Sequence, residues 1–408
     1  MATLTNLTIN DTGFIQMPSG TSAQRPGTPT AGMIRYNTDN SRTELYDGTK
    51  WILLDGSALA ATGGSISTAG GYRIHTFTSG AQVFTMTYPG DVEVLLVAGG
   101  GGGAGIGGGG GAGGYIYEHG VSLPAGSYVV TVGGGGQGET SHNAQNQNPG
   151  NPSSIVGPGI PQMYNAIGGG RGCSYTSTNS NPFIAQGGSG GGGPGGHIPG
   201  AGGGGGWWPQ APGGHGNQGT DYPYLAGMPN TSLQGTPTGN NNDHISMEGN
   251  GHGSGIVGQG HPGGFGAHGG GYGWAAGNTV IHAGGGGGGA GGAGKPVATS
   301  HESGTGGAGL ASQITGTVTR YAGGGGNGHH GPGNPGHYGK GGWAIPGPIA
   351  TAFGGGRSGI HPGSPEGAAN GGTGATNTGG GGGGGVHGSP DVSGPGGPGV
   401  VVIRYRNA

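Results

Sequence analysis

Runs of consecutive glycine constrain the fold of this chain more than any other feature of its sequence. They stand at 99–103, 284–289 and 379–385, and similar phrases recur between them. Glycine loses more backbone entropy on folding than any other residue, and ordering one residue costs about 1–2 kcal/mol. Because these runs carry no side chains to bury in return, isolated strands or helices of glycine are not expected to be stable.

Composition narrows the possible folds. Glycine supplies 121 of the 408 residues, and only 7% of the residues are charged. Such low charge is not typical of disordered chains, and the lack of a strict three-residue glycine period excludes collagen. Extended threefold helices packed side by side can pair their backbone N–H and C=O groups laterally without side chains. We therefore predict a bundle of polyglycine II-type extended helices with long loops; the alternative is a disordered linker.

Apolar segments at both ends of the glycine-rich stretch predict β-strands. Residues 32–56, GMIRYNTDNSRTELYDGTKWILLDG, have the Asp-Gly turn and the alternation of a meander of three short strands. VEVLLVA at 92–98 and VVVIRYR at 400–406 are continuously apolar, which is typical of strands covered on both faces. Their shared pattern predicts that they are neighbours in one sheet. The predicted fold class is mainly β with little helix.

The same features divide the chain into five predicted parts. Three short strands are marginal alone, so the N-terminal module is expected to attach to a partner or to trimerise. The parts are an N-terminal β-meander module at 1–58, a polar linker at 59–70, a β-rich frame at 71–132, the glycine-rich bundle with loops at 133–395 and a closing strand at 396–408 that pairs with the frame.

Charge and hydropathy argue against a nucleic-acid partner and against membrane insertion. The net charge of −3 comes from 12 basic and 15 acidic residues without a basic patch, so no nucleic-acid partner is expected. The first residues have no basic and apolar regions of a secretory signal, and no stretch approaches 18 apolar residues, so no membrane insertion is expected. The single cysteine, Cys173, excludes an intrachain disulfide framework.

No catalytic pattern is present in the sequence. GAGIGGGG follows the apolar strand at 92–98 and contains a loose Gly-x-Gly-x-x-Gly, but no helix is predicted after it to bind a phosphate. The carboxylates are scattered without the paired spacing of a glycosidase. We therefore predict that the protein is not an enzyme and has no cofactor.

The 16 histidines allow two interpretations. His329, His330 and His337 lie close together, and His252, His261 and His268 recur at short intervals. Imidazole binds zinc, iron and copper, but no regular ligand spacing and no adjacent carboxylate accompany these residues. Polar turn residues are the simpler interpretation, so no metal site is predicted.

The aromatic residues within the glycine-rich stretch are more informative. They stand among glycine and proline, as in GGGGGWWPQAPGGHG and GHYGKGGWAIPG, rather than among apolar neighbours. Rigid rings at loop tips stack on sugars or fill pockets of a partner. The alternative is that they fill the ends of the bundle or a contact between subunits.

Several phrases resemble proteins of tailed phages. MPSGTSAQRPGTPTAGMIRYNTDNSRTELYDGTKWILL resembles the short β-module near the N-terminus of many phage fibre and structural proteins. The segment from 75 to 115, together with GLASQITGTVTRYAGGGG, ATNTGGGGGGG and GPGVVVIRYR, resembles the glycine-rich domain of phage tail fibres, common in marine phages and cyanophages. The nearest structural analogy is the glycine-rich tip adhesin, in which a bundle of polyglycine helices presents variable loops.

This resemblance implies a virion protein, a tail fibre or tip protein that binds the host surface. The expected partners are two further copies in a homotrimer, other virion proteins and a host glycan or outer-membrane protein. A capsid decoration protein, a head fibre or a filament subunit without receptor binding is the alternative, and ice binding is disfavoured because no Thr or Ala ladder is present. The predicted receptor-binding residues are Trp207, Trp208, Tyr222, Tyr224, His329, His330, Tyr338 and Trp343.

Overall fold

The fold was examined in a computed structural model. It describes residues 13, 16–39, 41–54, 61–105, 107–140, 148–160, 164–174, 185, 187–193, 259–264, 267–269, 281–295, 304–330, 355–356, 370–385 and 392–407. For 267–269, 281–283 and 329–330 it describes the backbone alone.

The described chain is mainly β-sheet with almost no helix, and Ser22–Gln24 form a single 3₁₀ turn. In chain order the strands are β1 (Ser19–Gly20), β2 (Ile34–Asn37), β3 (Arg42–Tyr46), β4 (Trp51–Leu53), β5 (Ala61–Thr62), β6 (Ser65–Ala69), β7 (Tyr72–Phe77), β8 (Gly80–Met86), β9 (Gly90–Val97), β10 (Tyr115–Leu123), β11 (Gly126–Val132), β12 (Ser153–Val156), β13 (Asn165–Ala166), β14 (Ala267–Gly269), β15 (Ile281–Ala283), β16 (Leu310–Ser312), β17 (Thr319–Tyr321), β18 (His329–His330) and β19 (Val400–Arg406).

Two five-stranded sheets form a β-sandwich. The first has the order β10-β9-β19-β7-β6, and the second has the order β13-β12-β11-β8-β5. The C-terminal strand β19 lies between β9 and β7 and is antiparallel to both. The pairing of β19 with β9 is the one that their shared apolar pattern predicts.

Two separate cores explain why β9 and β19 carry apolar residues on both faces. Successive side chains of a strand point to opposite faces. Val94 and Leu96 of β9 enter the core between the two sheets, whereas Leu95 and Val97 enter a second core on the other face of the first sheet. β19 divides its side chains between the same two cores. Both strands therefore have consecutive apolar residues, and their charged residues lie in the first half of β9 and the last half of β19.

The second sheet has only one covered face. Phe84 and Tyr128 are fully buried in the sandwich core, whereas Val83 on the opposite face of β8 is 54% exposed. The alternation of apolar and polar residues in β8 and β11 follows from this one-sided burial.

Glycine segments leave the sandwich and hydrogen-bond to one another through their backbones. We call this assembly the glycine lattice; its segments are 98–105, 107–114, 133–139, 148–151, 167–173, 187–193, 259–264, 284–295, 304–309, 322–328, 355–356, 370–385 and 392–399. The first of them continues β9, and the second returns to β10. The lattice therefore begins inside the predicted frame at 71–132 rather than after it.

Hydrogen-bond partners in the lattice change with a period of three residues. Along the first segment, successive N–H groups donate to three different neighbouring segments and then return to the first of these. The pairs are Gly99 and Gly102 with Asn151 and Asn148, Gly100 and Gly103 with Gly397 and Gly394, and Gly101 and Ala104 with Gly111 and Gly108. Each segment is thus bonded on several sides, whereas a strand is bonded on two.

Close packing of the backbones explains why the segments are glycine. A Cβ atom added at Gly101, Gly110 or Gly135 would lie closer than 3.0 Å to a backbone oxygen of a neighbouring segment. Real Cβ atoms essentially never approach another atom so closely. The backbone polar groups satisfy one another at distances that leave no room for side chains.

The predicted linker at 59–70 proves to be partly sheet. β5 adds to the edge of the second sheet, and β6 adds to the edge of the first. Ser, Thr and Ile alternate in β6, and most of its residues are exposed, as suits a short edge strand. The polar composition of β6 is therefore that of an edge strand and not that of a connecting segment.

The N-terminal module contains the three predicted strands of the meander, β2, β3 and β4, and β1 adds parallel to β2. Polar residues occupy its buried face. Glu44 is 1% exposed and accepts hydrogen bonds from Arg25 at 2.6 Å, Arg35 at 3.0 Å and Asn37 at 3.1 Å. Burial opposes ionisation of Glu44, but the bonds from Arg25 and Asn37 outweigh it and lower the pKa of this carboxyl.

Two small sheets complete the described fold. β16 and β17 form a hairpin whose Tyr321 enters the second core beside Ile314. β15 lies between β14 and β18 in an antiparallel three-stranded sheet.

Candidate functional site

The glycine lattice has one end at the sandwich and another far from it. Ala104 N–H donates to Gly108 O, which closes the turn between the first two segments at the far end. Gly108 in turn donates to Cys173 O, and Gly385 donates to Ala104 O. We call this region the distal end; it consists of 104–105, 107–108, 173–174, 193, 328–330 and 385.

A buried carboxylate holds the distal end together. Glu139 is fully buried, and its Oε2 accepts a hydrogen bond of 2.6 Å from Gly105 N–H. Its Oε1 accepts a bond of 3.3 Å from the Ser174 hydroxyl. The Glu139 N–H donates to Ser393 Oγ, and the Ser393 hydroxyl donates to Gly103 O, both at 2.6 Å. These bonds join four segments of the chain, so the distal end is a fixed platform.

Long stretches of the sequence continue from residues of the distal end. The chain passes from Ser174 into 175–184, from Gly193 into 194–258 and from His330 into 331–354, all outside the described residues. Gly193 is itself bonded into the lattice, because it donates to Gly264 O and accepts from Gly285 N–H. The lattice thus fixes the points at which these stretches begin.

The structure locates two of the eight predicted binding residues. His329 and His330 form β18 at the distal end, where β18 pairs with β15. Trp207, Trp208, Tyr222, Tyr224, Tyr338 and Trp343 lie outside the described residues. Their role in binding remains a prediction.

An ion pair on the sandwich surface was not anticipated from the sequence. Arg404 Nη2 lies 2.7 Å from Glu93 Oε2, and the Tyr117 hydroxyl donates to the same oxygen at 2.7 Å. The Arg404 guanidinium also lies 4.2 Å from the centre of the Tyr72 ring. A shallow cavity of about 190 Å³ opens beside this group, and His119 and Asp91 also line it. The pairing of β9 with β19 could have placed Glu93 opposite Arg404.

The titration behaviour of this group favours a structural role. Burial opposes ionisation of Glu93, but hydrogen bonds from Tyr117 and Arg404 lower the pKa of its carboxyl. Burial and the neighbouring Glu93 raise the pKa of Tyr117 to about 12. Near neutral pH Glu93 is therefore ionised and Tyr117 is protonated, which matches the hydrogen bond from the Tyr117 hydroxyl to the Glu93 carboxylate.

The buried cysteine and two histidines also lack the properties of reactive groups. Burial raises the pKa of Cys173 to about 11, so its thiol is not a reactive thiolate. Burial lowers the pKa of His75 and of His261, so both rings are neutral near pH 7.

Among the side chains that the structure describes, no group of three or more His, Cys, Asp and Glu residues could hold a metal ion. No helix of the described segments is long and apolar enough to cross a membrane.

Comparison with protein families agrees with the architecture described above. A model of the glycine-rich domain matches residues 76–311, which is more than half of the 408 residues. The chain belongs to the glycine-rich domain family. The matched range of this glycine-rich domain begins in β7 and ends in β16, so it includes the distal end as far as Gly193. No curated protein and no solved structure matches the chain.

Proposed function

We propose that this glycine-rich protein is a non-enzymatic structural protein of a tailed-phage particle. In this proposal it is a tail fibre or tip protein that binds a glycan or outer-membrane protein of the host through loops at the distal end. The distal platform is the observation that carries the proposal. Backbone groups of the lattice fix the points at which the loops begin. The loop sequences can therefore vary without disturbing the lattice.

We also propose that the lattice segments are polyglycine II helices. The three-residue period of hydrogen-bond partners along 99–104 supports this, because such a helix has three residues per turn and no internal hydrogen bonds. A high-resolution cryo-EM map should then show a rise of about 3.1 Å per residue along each run. A rise of about 3.3 Å with bonding on two sides would identify ordinary strands instead.

The N-terminal module is proposed to join copies of the chain into a homotrimer and to dock on other virion proteins. Its face opposite Glu44 carries Ile34, Leu45 and Ile52 in one row across three strands. Ile34 is 42% exposed and Ile52 is 37% exposed. An exposed apolar row on a small four-stranded module supports self-association, because closed symmetry buries such a row in every copy.

The trimer is tested by sedimentation of the intact chain and of the double variant Ile34→Ser and Ile52→Ser. We expect a trimer for the natural chain and a shift toward monomer for the variant. The matched control is Val83→Ser together with Val129→Ser, which replaces two exposed residues of the sandwich and should leave the trimer intact. A monomeric natural chain would contradict the proposal.

Host binding is tested with variant particles. Replacement of Trp207, Trp208, Tyr338 and Trp343 by serine should leave assembly intact and reduce the adsorption rate at least about tenfold, because aromatic anchors carry much of the binding energy at interfaces. Particles carrying Val83→Ser and Val129→Ser should adsorb normally.

Each other outcome of this experiment points to a different conclusion. Unchanged adsorption would move recognition elsewhere and favour a capsid decoration protein, head fibre or filament subunit. Failure to assemble would assign these rings to contacts within or between subunits. Labelled antibodies against this chain, viewed on whole particles, separate tail from capsid directly.

A further inference from the structure

A contact between two side chains joins the N-terminal module to the sandwich. The guanidinium carbon of Arg42, the first residue of β3, lies 3.3 Å from the centre of the Tyr88 ring. A guanidinium within about 6 Å of an aromatic ring centre is attracted by the face of the ring. For comparison, the guanidinium of Arg406 lies 5.1 Å from the centre of the Tyr72 ring. Arg42 therefore stacks directly on Tyr88, and both residues are half-buried.

The local backbone restricts both partners of this contact. Ser41 has a φ of 55°, in the left-handed region that residues other than glycine rarely adopt, and it turns the chain directly before Arg42. Pro89 follows Tyr88 and disfavours a helical backbone at Tyr88. The contact thus forms between two constrained turns, so little further ordering of the chain opposes it.

The position of Tyr88 connects this contact to the glycine lattice. Tyr88 lies in the turn between β8 and β9. β9 begins at this turn, and at its other end it continues into the first lattice segment, 98–105. Because β9 pairs with β10 and with β19, it cannot tilt independently of the sandwich. A module held at Tyr88 therefore has one orientation relative to the lattice.

The N-terminal module has its own network of polar contacts. Asp39 accepts a hydrogen bond of 2.7 Å from Ser22 N–H, and Asp47 accepts one of 2.7 Å from Thr49 N–H. Glu44 takes its partners from the same module, as described above. These bonds do not involve the sandwich, so the module can stay folded when the contact between Arg42 and Tyr88 is broken.

We propose that Arg42 and Tyr88 form a latch between the N-terminal module and the sandwich. With the latch closed, the module and the lattice move as one unit. With the latch open, the module turns relative to the sandwich while both remain folded. A cation–π contact shifts such an equilibrium by roughly 2–30-fold, so the latch holds the closed state without making it permanent.

The latch is compatible with the proposed trimer. Arg42 and Glu44 lie on one face of β3, whereas Leu45 lies on the other face in the row with Ile34 and Ile52. Self-association through that row leaves Arg42 free to contact Tyr88 of its own copy. In the fibre function proposed above, on which this consequence alone rests, a closed latch keeps the distal end at a fixed angle to the virion.

The test measures the distance between the module and the sandwich by single-molecule fluorescence energy transfer in the full-length protein. Dyes are attached to Thr28→Cys in the module and Val156→Cys in the sandwich, because both positions are exposed. Cys173 is buried and stays unlabelled. The double-cysteine chain is co-expressed with an excess of the same chain without these cysteines, so that distances are measured within one copy. We expect one narrow distance distribution.

Three variants examine the two partners of the latch. Tyr88→Leu removes the ring and keeps an apolar side chain, and Arg42→Gln removes the charge. Each should add a second, broader population and raise the open fraction by roughly 2–30-fold. Tyr88→Phe keeps the ring and should keep the narrow distribution, which separates a cation–π contact from a hydrogen bond of the hydroxyl.

Arg406→Gln is the matched control, because it removes an arginine that lies over a tyrosine ring within the sandwich. It should leave the distance distribution unchanged, and circular dichroism checks that every variant is folded. A broad distribution in the natural chain, a narrow one in either folded variant Tyr88→Leu or Arg42→Gln, or an equal change in Arg406→Gln would overturn the proposal. The measurement uses neither host cells nor particles, so its outcome is separate from that of the adsorption experiment.

Discussion

The sandwich and the glycine lattice both pair backbone N–H and C=O groups, but they fill the space between those backbones differently. In the sandwich, ladders of hydrogen bonds hold the strands, and side chains such as Phe84 and Tyr128 fill the space between the sheets. In the lattice, neighbouring backbones fill that space themselves, and Gly101 or Gly110 has no room for a methyl group. Side chains pack the first region, and backbones pack the second.

This difference in packing predicts how the stability of each region responds to substitution. A side-chain core loses stability in proportion to the apolar groups removed and the cavity left. A lattice of glycine backbones has no side chains that a substitution could remove. An added Cβ meets a carbonyl oxygen of a neighbouring segment, and a backbone hydrogen bond holds that oxygen in place. We therefore expect graded effects in the sandwich and effects that depend sharply on position in the lattice.

The largest effect is expected for Phe84→Ala in the sandwich. Phe84 is fully buried, and its ring lies 5.1 Å from that of His75 and 6.3 Å from that of Phe77. The free energy of unfolding should fall by about 3–5 kcal/mol. Val83→Ala, one position earlier and 54% exposed, should change it by less than about 0.5 kcal/mol.

Hydrogen exchange in Phe84→Ala also tests whether the two regions depend on each other. β9 and β10 enter the lattice directly, so a weakened sandwich should increase exchange of the amides at 99–103 as well. Unchanged protection there would show that the lattice is stable without its frame. Unprotected amides at 99–103 in the natural chain would contradict the ordered lattice itself.

Two adjacent glycines of the lattice provide the next test. A Cβ on Gly135 would meet Gly396 O closer than 3.0 Å, whereas on Gly134 its nearest neighbour is an Asn151 side-chain atom at 3.6 Å. Gly135→Ala should destabilise the protein by about 1–3 kcal/mol through overpacking. Gly134→Ala should be neutral or stabilise it by about 0.4–1 kcal/mol, because alanine restricts the unfolded chain. Thermal unfolding of the pair measures the difference, and equal effects would contradict backbone packing.

Much of the fold could be predicted where side chains carry the information. The apolar runs of β9 and β19 indicated strands covered on both faces, and the Asp-Gly turn indicated the meander. The lattice gives a weaker signal, because every glycine looks alike and the sequence does not show which run lies beside which. For the same reason the segment 99–114 could not be separated from the frame in which it lies.

At the distal end, too, the sequence indicates residue types but does not show which residues lie together. Aromatic residues among glycines were visible in the sequence, but the distal end is defined by backbone contacts such as Gly108 with Cys173. The pairing of β15 with β14 and β18 likewise joins strands that are distant in sequence. Residue types could be predicted, and their grouping could not.

The smallest effect is expected from a change of pH. One histidine in the sandwich and one in the lattice allow the pH dependence of stability to be compared between the two regions. His75 is fully buried in the sandwich; its Nδ1 lies 2.8 Å from Gly63 O and its Nε2 lies 3.2 Å from the Tyr405 hydroxyl. Burial lowers its pKa below 6.5, against the opposing bond to Gly63. His261 in the lattice is half-buried, and burial lowers its pKa too.

The sign follows from proton binding. Below pH 6.5 the unfolded chain takes up a proton on each histidine while the folded chain does not, so stability present above 6.5 falls as the pH drops toward the lowered folded pKa. Each residue can contribute at most about 1.4 kcal/mol per pH unit. His75→Gln and His261→Gln should each reduce the difference in unfolding free energy between pH 7 and pH 5, whatever their cost at pH 7. If only His75→Gln reduces it, water reaches the lattice histidine and the lattice is less closed than the sandwich; if neither does, both rings are solvated and the burial described for them is wrong.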